Sequence, residues 1–223
     1  GRPLLYKHRD SGFFQNRLQY YTDGKFSYIG LVNSGDTLGK EVWMGCNSAG
    51  FAIMNSASYN LIEKDTIDIK DREGEIMKAA LQNCNTLQDF EDLLNQLPKP
   101  LGVEANFGVI DANGGAAYYE TDNFKFKKFD ANNPKIAPFG YIIRTNYSFC
   151  GDQDDGYGYI RYLTAENLFY QAAASNNLNY KFILQKVSRN LKHSLTNIDL
   201  KESLPKKRSE QKFVNFQDFI PRY

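Results

Sequence analysis

Four short polar clusters along the chain carry residue types that could position a carboxylate or stabilise a developing oxyanion. The first is Lys7-His8-Arg9-Asp10, at the end of an opening run, Pro3 to His8, that reads as a short strand. A carboxylate among cations there is either half of a local ion pair in an exposed turn or a functional carboxylate positioned by its neighbouring cations. The second is Asn55 in Ile53-Met54-Asn55-Ser56, where apolar residues predict a buried strand. A buried amide must find hydrogen-bond partners. It is therefore either a satisfied structural group or a donor aimed at a developing oxyanion. The third is Asn146 in Arg144-Thr145-Asn146-Tyr147, with the same two readings. The fourth is Arg161, near the start of a predicted helix and after the acidic stretch Asp152 to Gly156, whose aspartates it could pair with on the surface. Taken singly, each cluster is better read as structural.

Composition narrows the field. The chain has 223 residues, 42% apolar and 24% charged, with Lys+Arg 27 against Asp+Glu 26, a net +1. That is one large domain or two small ones, with no bulk charge to hold nucleic acid or an anionic membrane. The cluster Lys206-Lys207-Arg208, after Pro205, reads as a solvated loop. No apolar run has the length of a membrane span, and none has the form of a signal peptide. Cys46, Cys84 and Cys150 are too few and scattered for a disulfide framework, and with only His8 and His193 no zinc spacing occurs. No metal or other cofactor is expected. Motifs for a serine-hydrolase elbow, a phosphate-binding loop or a zinc protease are missing. The 15 Tyr and 16 Phe fit aromatic packing in sheets or a hydrophobic pocket.

The elements that must position these residues come in blocks. Strands are predicted at Pro3 to His8, Phe26 to Val32, Glu41 to Cys46 and Phe51 to Ser56. The last two flank the tight turn Asn47-Ser48-Ala49-Gly50. Phe107 to Ile110 and Ala116 to Tyr119 flank Asp111-Ala112-Asn113-Gly114-Gly115, a hairpin signal because Asn-Gly tolerates positive φ. Phe124 to Phe129 and Tyr141 to Arg144 are further strands. Helices are predicted over Glu73 to Cys84, then from a Thr86 cap with Asp89 at the third position. Leu87, Phe90, Leu93, Leu94 and Leu97 form its apolar face, and Pro98 ends it. A second helix pair covers Gly158 to about Ser175 and Asn179 to about Lys192, the latter with Tyr180, Ile183, Leu184, Val187 and Leu191 as a stripe. His193 to Lys212 receives no structure, and a new segment is expected to begin at Phe219 to Tyr223. Blocks of strands separated by helix pairs indicate an α+β layered fold with antiparallel sheets.

Order and spacing say more than any one cluster. The sequence resembles the choloylglycine hydrolase and penicillin V acylase family, N-terminal-nucleophile hydrolases that cleave linear C–N bonds. It is closer to the related acyl-coenzyme A:6-aminopenicillanate acyltransferase-like, peptidase-like proteins. In these an opening strand ends in an Arg-Asn-x-Asp-like motif, matched by Lys7 to Asp10. A Gly-x-Asn-x-x-Gly hairpin follows, matched by Gly45-Cys46-Asn47-Ser48-Ala49-Gly50. Then come an oxyanion-hole Asn, matched by Asn55, a Thr-Asn pair, matched by Thr145-Asn146, and a helical Arg, matched by Arg161.

The resemblance implies a four-layer αββα sandwich, two stacked antiparallel sheets between helix pairs, as a single domain over 1–223. It implies a nucleophilic N-terminal Cys, with Asp10 holding its amine, Asn55 stabilising the oxyanion, and Asn146 and Arg161 orienting the amine and thiol. Lys7 and Arg9 become candidates for substrate binding. Lys7 stands where the family usually has Arg, and Gly1 offers an amine without a thiol. None of the three cysteines can present a free α-amine. The chain is therefore expected to start after a Cys-bearing strand and to lack terminal strands. The expected partner is a small-molecule amide, with a homo-oligomer possible and export implied by the family. The alternatives are an inactive small-molecule-binding module, or an interaction protein, with the same fold.

Overall fold

A computed structural model describes residues 3–61, 71–153, 157–203 and 219–220. The basic cluster at Lys206-Lys207-Arg208, residues 154–156 of the acidic stretch and residues 221–223 lie outside the described residues. The chain separates into two compact units. One holds residues 3–7 and 11–152, the other residues 8–10 and those from 153 onward.

The larger unit is built on one antiparallel sheet of seven strands in sequence order. These are β1 (Asn16–Tyr21), β2 (Tyr28–Asn33), β3 (Met44–Asn47), β4 (Ala52–Ala57), β5 (Ala105–Ile110), β6 (Ala116–Thr121) and β7 (Phe126–Asp130). Two helices, α1 (Glu73–Asn83) and α2 (Leu87–Gln96), lie between β4 and β5 in the chain. The α+β class is as expected; among the described residues the strands join a single sheet where two stacked sheets were expected.

The core forms where the helices meet one face of this sheet. Phe90 of α2 is fully buried, with its ring edge-on to Phe107 and Tyr119 and tilted against Phe51. Ile76, Met77, Ala80 and Leu81 bring α1 into the same cluster. The α2 boundary follows its sequence signal. The Thr86 hydroxyl accepts from Asp89 N, and the Asp89 carboxylate accepts from Thr86 N, satisfying donors that a helix start leaves open. Asp111 adds a cap from a distance. One carboxylate oxygen accepts from Asn113 N and Gly115 N within its hairpin, and the other accepts from Leu87 N at 3.1 Å.

Three expectations are corrected. Residues 3–10 and 141–144 carry no strand. Their apolar residues signalled burial, but side-chain hydrogen bonds described below hold both stretches in place of a backbone ladder. Conversely, β1 is a strand that its mostly polar sequence hides. Among the described residues it is an edge of the sheet, and Arg17 folds onto the turn carbonyls of Asn33, Ser34 and Asp36.

The smaller unit is helical. Helix α3 spans Tyr157–Ala174, with Ala165 and Ala172 buried. Asn179 caps a short α4 (Tyr180–Phe182), which runs directly into a π-helical turn, Ile183–Val187, closed by Ser188 N donating to Ile183 O. The helix expected to reach Lys192 stops there. The wider winding buries Ile183 and Val187 and leaves Tyr180 and Leu184 more than half exposed, so the expected stripe is only partly inward. A last short helix, α5 (Leu200–Ser203), falls where no structure was expected. No helix among the described residues is long and apolar enough to cross a membrane.

Candidate active site

Strand β4 positions Asn55, which is 5% exposed. The Lys7 ammonium donates to Asn55 Oδ1 at 2.7 Å and to the Trp43 carbonyl at 2.8 Å. An ammonium can only donate, so the amide end that meets it must be the oxygen. Asn55 Nδ2 is thereby turned away, and it donates to no described residue.

The hairpin before β4 explains its own Gly-x-Asn-x-x-Gly spacing, and the reason is architectural. Asn47 Oδ1 accepts from Ala49 N and Phe51 N, which shapes the turn. Its Nδ2 donates to Leu81 O at 2.9 Å and Cys84 O at 2.8 Å, two carbonyls at the end of α1. A Cβ at Gly45 would come within 2.6 Å of Ile29 O and Leu81 Cδ1, and Gly50 has φ +85°. The motif locks the β3–β4 turn to α1 and so fixes where β4 runs.

Asn146 reaches the end of β4 without a strand of its own. Its Nδ2 donates to Ala57 O at 2.8 Å, and its carbonyl accepts from Tyr59 N. A buried polar network holds the surrounding segment. Ser56 Oγ and Asn106 Nδ2 donate to Thr145 O, Ser148 Oγ meets Ser58 Oγ and Asn106 Oδ1, and Asn60 bridges Ser148 O and Asp152 O. Asn60, Asn106 and Ser148 gave no periodic or motif signal, because their role appears only once distant segments meet.

The smaller unit holds Asp10 and Arg161. Arg161 lies on α3 with its side chain 6% exposed, and its Nη1 stands 3.9 Å from Asp10 Oδ2. Read as an isolated residue, Arg161 suggests a surface side chain paired with the acidic stretch; it is buried, and it forms an ion pair with Asp10. Burial, then the Arg161 charge, lowers the pKa of His8 and favours the neutral imidazole. Arg9 is half-buried, and desolvation lowers its pKa. Each unit therefore brings two expected site residues into contact, Lys7 with Asn55 and Asp10 with Arg161.

Another polar centre was not foreseen. Arg144 Nε donates to Glu120 Oε1 at 2.7 Å, with side chains 6% and 0% exposed. The guanidinium lies over the rings of Phe129 and Phe149, and Glu120 also accepts from Phe149 N and Cys150 N. Burial, then the contact with Glu120, raises the Cys150 thiol pKa, and burial pushes Cys84 up to about 12. Neither thiol is primed for attack. Among the described residues no cluster of His, Cys, Asp and Glu could hold a metal ion.

This architecture is shared with a solved protein. The Caenorhabditis elegans ortholog of N-acylethanolamine-hydrolyzing acid amidase superposes with a TM-score of 0.55 at 15% identity, over 76% of this chain and 71% of that one. The fold is that of the N-terminal-nucleophile hydrolases. A variant of conjugated bile acid hydrolase from Clostridium perfringens has a TM-score of 0.35 at 16% identity, over 49% of this chain. Penicillin V acylase from Agrobacterium tumefaciens has 0.34 at 16%, over 48%. The chain spans 37% and 33% of the lengths of those two. No curated protein matches the chain. The acyl-coenzyme A:6-aminopenicillanic acid acyl-transferase family matches residues 9–220, and the chain belongs to that family.

Proposed function

We propose that this chain forms the body of a hydrolase or acyltransferase acting on a linear amide of a small molecule, with the nucleophile on an N-terminal Cys that precedes Gly1. The observation that carries this reading is the Asn55 amide, whose oxygen is engaged and whose Nδ2 is left to donate. That is the form required of an oxyanion-hole group. Family membership over residues 9–220 supports the acyl chemistry.

The thiol proton passes to the α-amine of the same Cys, and sulfur attacks the amide carbon. The C=O electron pair moves to oxygen, which Asn55 Nδ2 stabilises. The pair returns, the C–N bond breaks, and the amine product leaves with the proton from the α-amine. Water then attacks the thioester and releases the acid, or an acceptor amine takes the acyl group. Asp10 holds the α-amine, with Arg161 Nη1 3.9 Å from its carboxylate. Asn146, held at the end of β4 by its Nδ2 bond to Ala57 O, orients the amine.

The test is to express the protein with a free N-terminal Cys ahead of Gly1 and compare Asn55→Ala with wild type. Turnover of a chromogenic acyl amide should fall roughly 10²–10³-fold in kcat. Near-normal turnover by Asn55→Ala would remove Asn55 from the reaction, and an inactive parent would leave a small-molecule-binding module.

A further inference from the structure

We infer that Lys7 is a positioning residue that acts through Asn55 and is not a substrate-binding cation. The inference rests on the oxyanion role proposed above for Asn55. Resemblance alone makes Lys7 a candidate for gripping substrate, but its geometry is directed inward. Its ammonium bridges the Trp43 carbonyl at 2.8 Å, just before β3, and Asn55 Oδ1 at 2.7 Å, on β4.

Three physical consequences follow. The first is orientation. A flipped Asn55 would place an NH₂ group against an NH₃⁺ group at hydrogen-bond distance, two donors with nothing to accept between them. Lys7 therefore selects the rotamer in which Nδ2 is the outward end. The second is polarisation. A cation on the amide oxygen draws density from the C–N bond and strengthens the N–H donors at the far end, as in any hydrogen-bond chain of low local dielectric. The third is field. An ammonium one amide away attracts the negative charge that develops as the C=O opens, and it attracts the neutral ground-state amide far less. Such an interaction raises kcat and leaves KM nearly unchanged. A cation that bound substrate directly would act mainly on KM.

The residue type fits the task. An ammonium is a compact point charge with donors that rotate, so it can serve a backbone carbonyl and a side-chain amide on different strands. The resembling families usually place Arg here. An Arg fork reaches two acceptors as well, so Lys7→Arg is the conservative variant and Lys7→Met the near-isosteric deletion.

The experiment uses the protein with its free N-terminal Cys and four variants: Lys7→Met, Lys7→Arg, Asn55→Ala and the double variant Lys7→Met/Asn55→Ala. Steady-state kinetics are read with an acyl amide, and thermal melts with the same samples. Lys7→Met should lower kcat by about 10–100-fold, a part of the loss from deleting an oxyanion donor, with KM within about two-fold. Lys7→Arg should recover most of that loss. In the Asn55→Ala background, Lys7→Met should have little further effect, because its route to the reaction is gone. A Lys7→Met loss confined to KM, or one that persists in full without Asn55, overturns the inference while the Asn55 reading stands. If Asn55→Ala itself turns over normally, both fail. Should Lys7→Met melt too low to assay, Lys7→Arg and Lys7→Gln decide. Both keep a donor for Asn55 Oδ1, and only Arg keeps the charge, so equal kcat in the two would also overturn the inferred electrostatic role.

Discussion

Replacing Asn47 with alanine should destabilise the larger unit far more than a surface turn mutation would. Asn47 is 8% exposed, and its side chain makes four hydrogen bonds. Two shape the hairpin through Ala49 N and Phe51 N. Two bind Leu81 O and Cys84 O at the end of α1, at 2.9 and 2.8 Å. A buried backbone group stripped of its partner costs about 1–3 kcal/mol. Water reaches some of the four groups after truncation, so the net expectation is about 3–5 kcal/mol, a large part of a typical total of about 5–15 kcal/mol. Trp43, the single tryptophan, packs against the same core, so its fluorescence in urea reports this unit. The discriminating variant is Asn47→Asp. Aspartate keeps both turn acceptors and is a favoured turn residue, but it brings a carboxylate against two carbonyl oxygens. If the bonds to α1 matter as argued, Asp should be no better than Ala. An Asp variant near wild-type stability would refute that reasoning and make Asn47 a turn residue only.

Other outcomes follow from the same geometry. Glu73, at the start of α1, is 3% exposed, and burial together with Asp71 pushes its carboxyl up to about 9 from 4.5. The folded state then binds the proton that the unfolded state releases. Stability is therefore fullest below about pH 4.5 and is lost as pH rises toward about 9. Urea midpoints across that window should fall, and Glu73→Gln should flatten the fall. Glu120→Ala strands the Arg144 guanidinium and two backbone N–H groups, and should cost about 3–5 kcal/mol in urea unfolding. Converting both partners to apolar residues of similar size should recover much of it. In native protein, iodoacetamide at pH 7.5 should label the exposed Cys46 first, Cys150 more slowly, and Cys84 only on unfolding, as mass mapping would show.

Local chemistry was enough to read much of this protein from its sequence. The Thr86–Asp89 capping box, both hairpin turns, the apolar face of α2 and the ordered motifs each lie within a few residues of chain. Short-range sterics and hydrogen bonding decide such features. The ordered motifs also led to the family. Features that depend on partners distant in sequence were decided by the tertiary structure. Nothing in Ile53-Met54-Asn55-Ser56 says which end of the Asn55 amide faces out; Lys7, 48 residues away, decides it. Asn146 looked like the end of a strand, yet it is held by Ala57 O, 89 residues away, and by a serine–asparagine network with no sequence period. Arg161 read as a surface residue because burial of a charge cannot be seen without the carboxylate that faces it. Sequence therefore named Asn55 and Arg161, and packing alone decided the orientation of one and the burial of the other. An amide or a guanidinium takes its role from the partners that desolvation forces upon it.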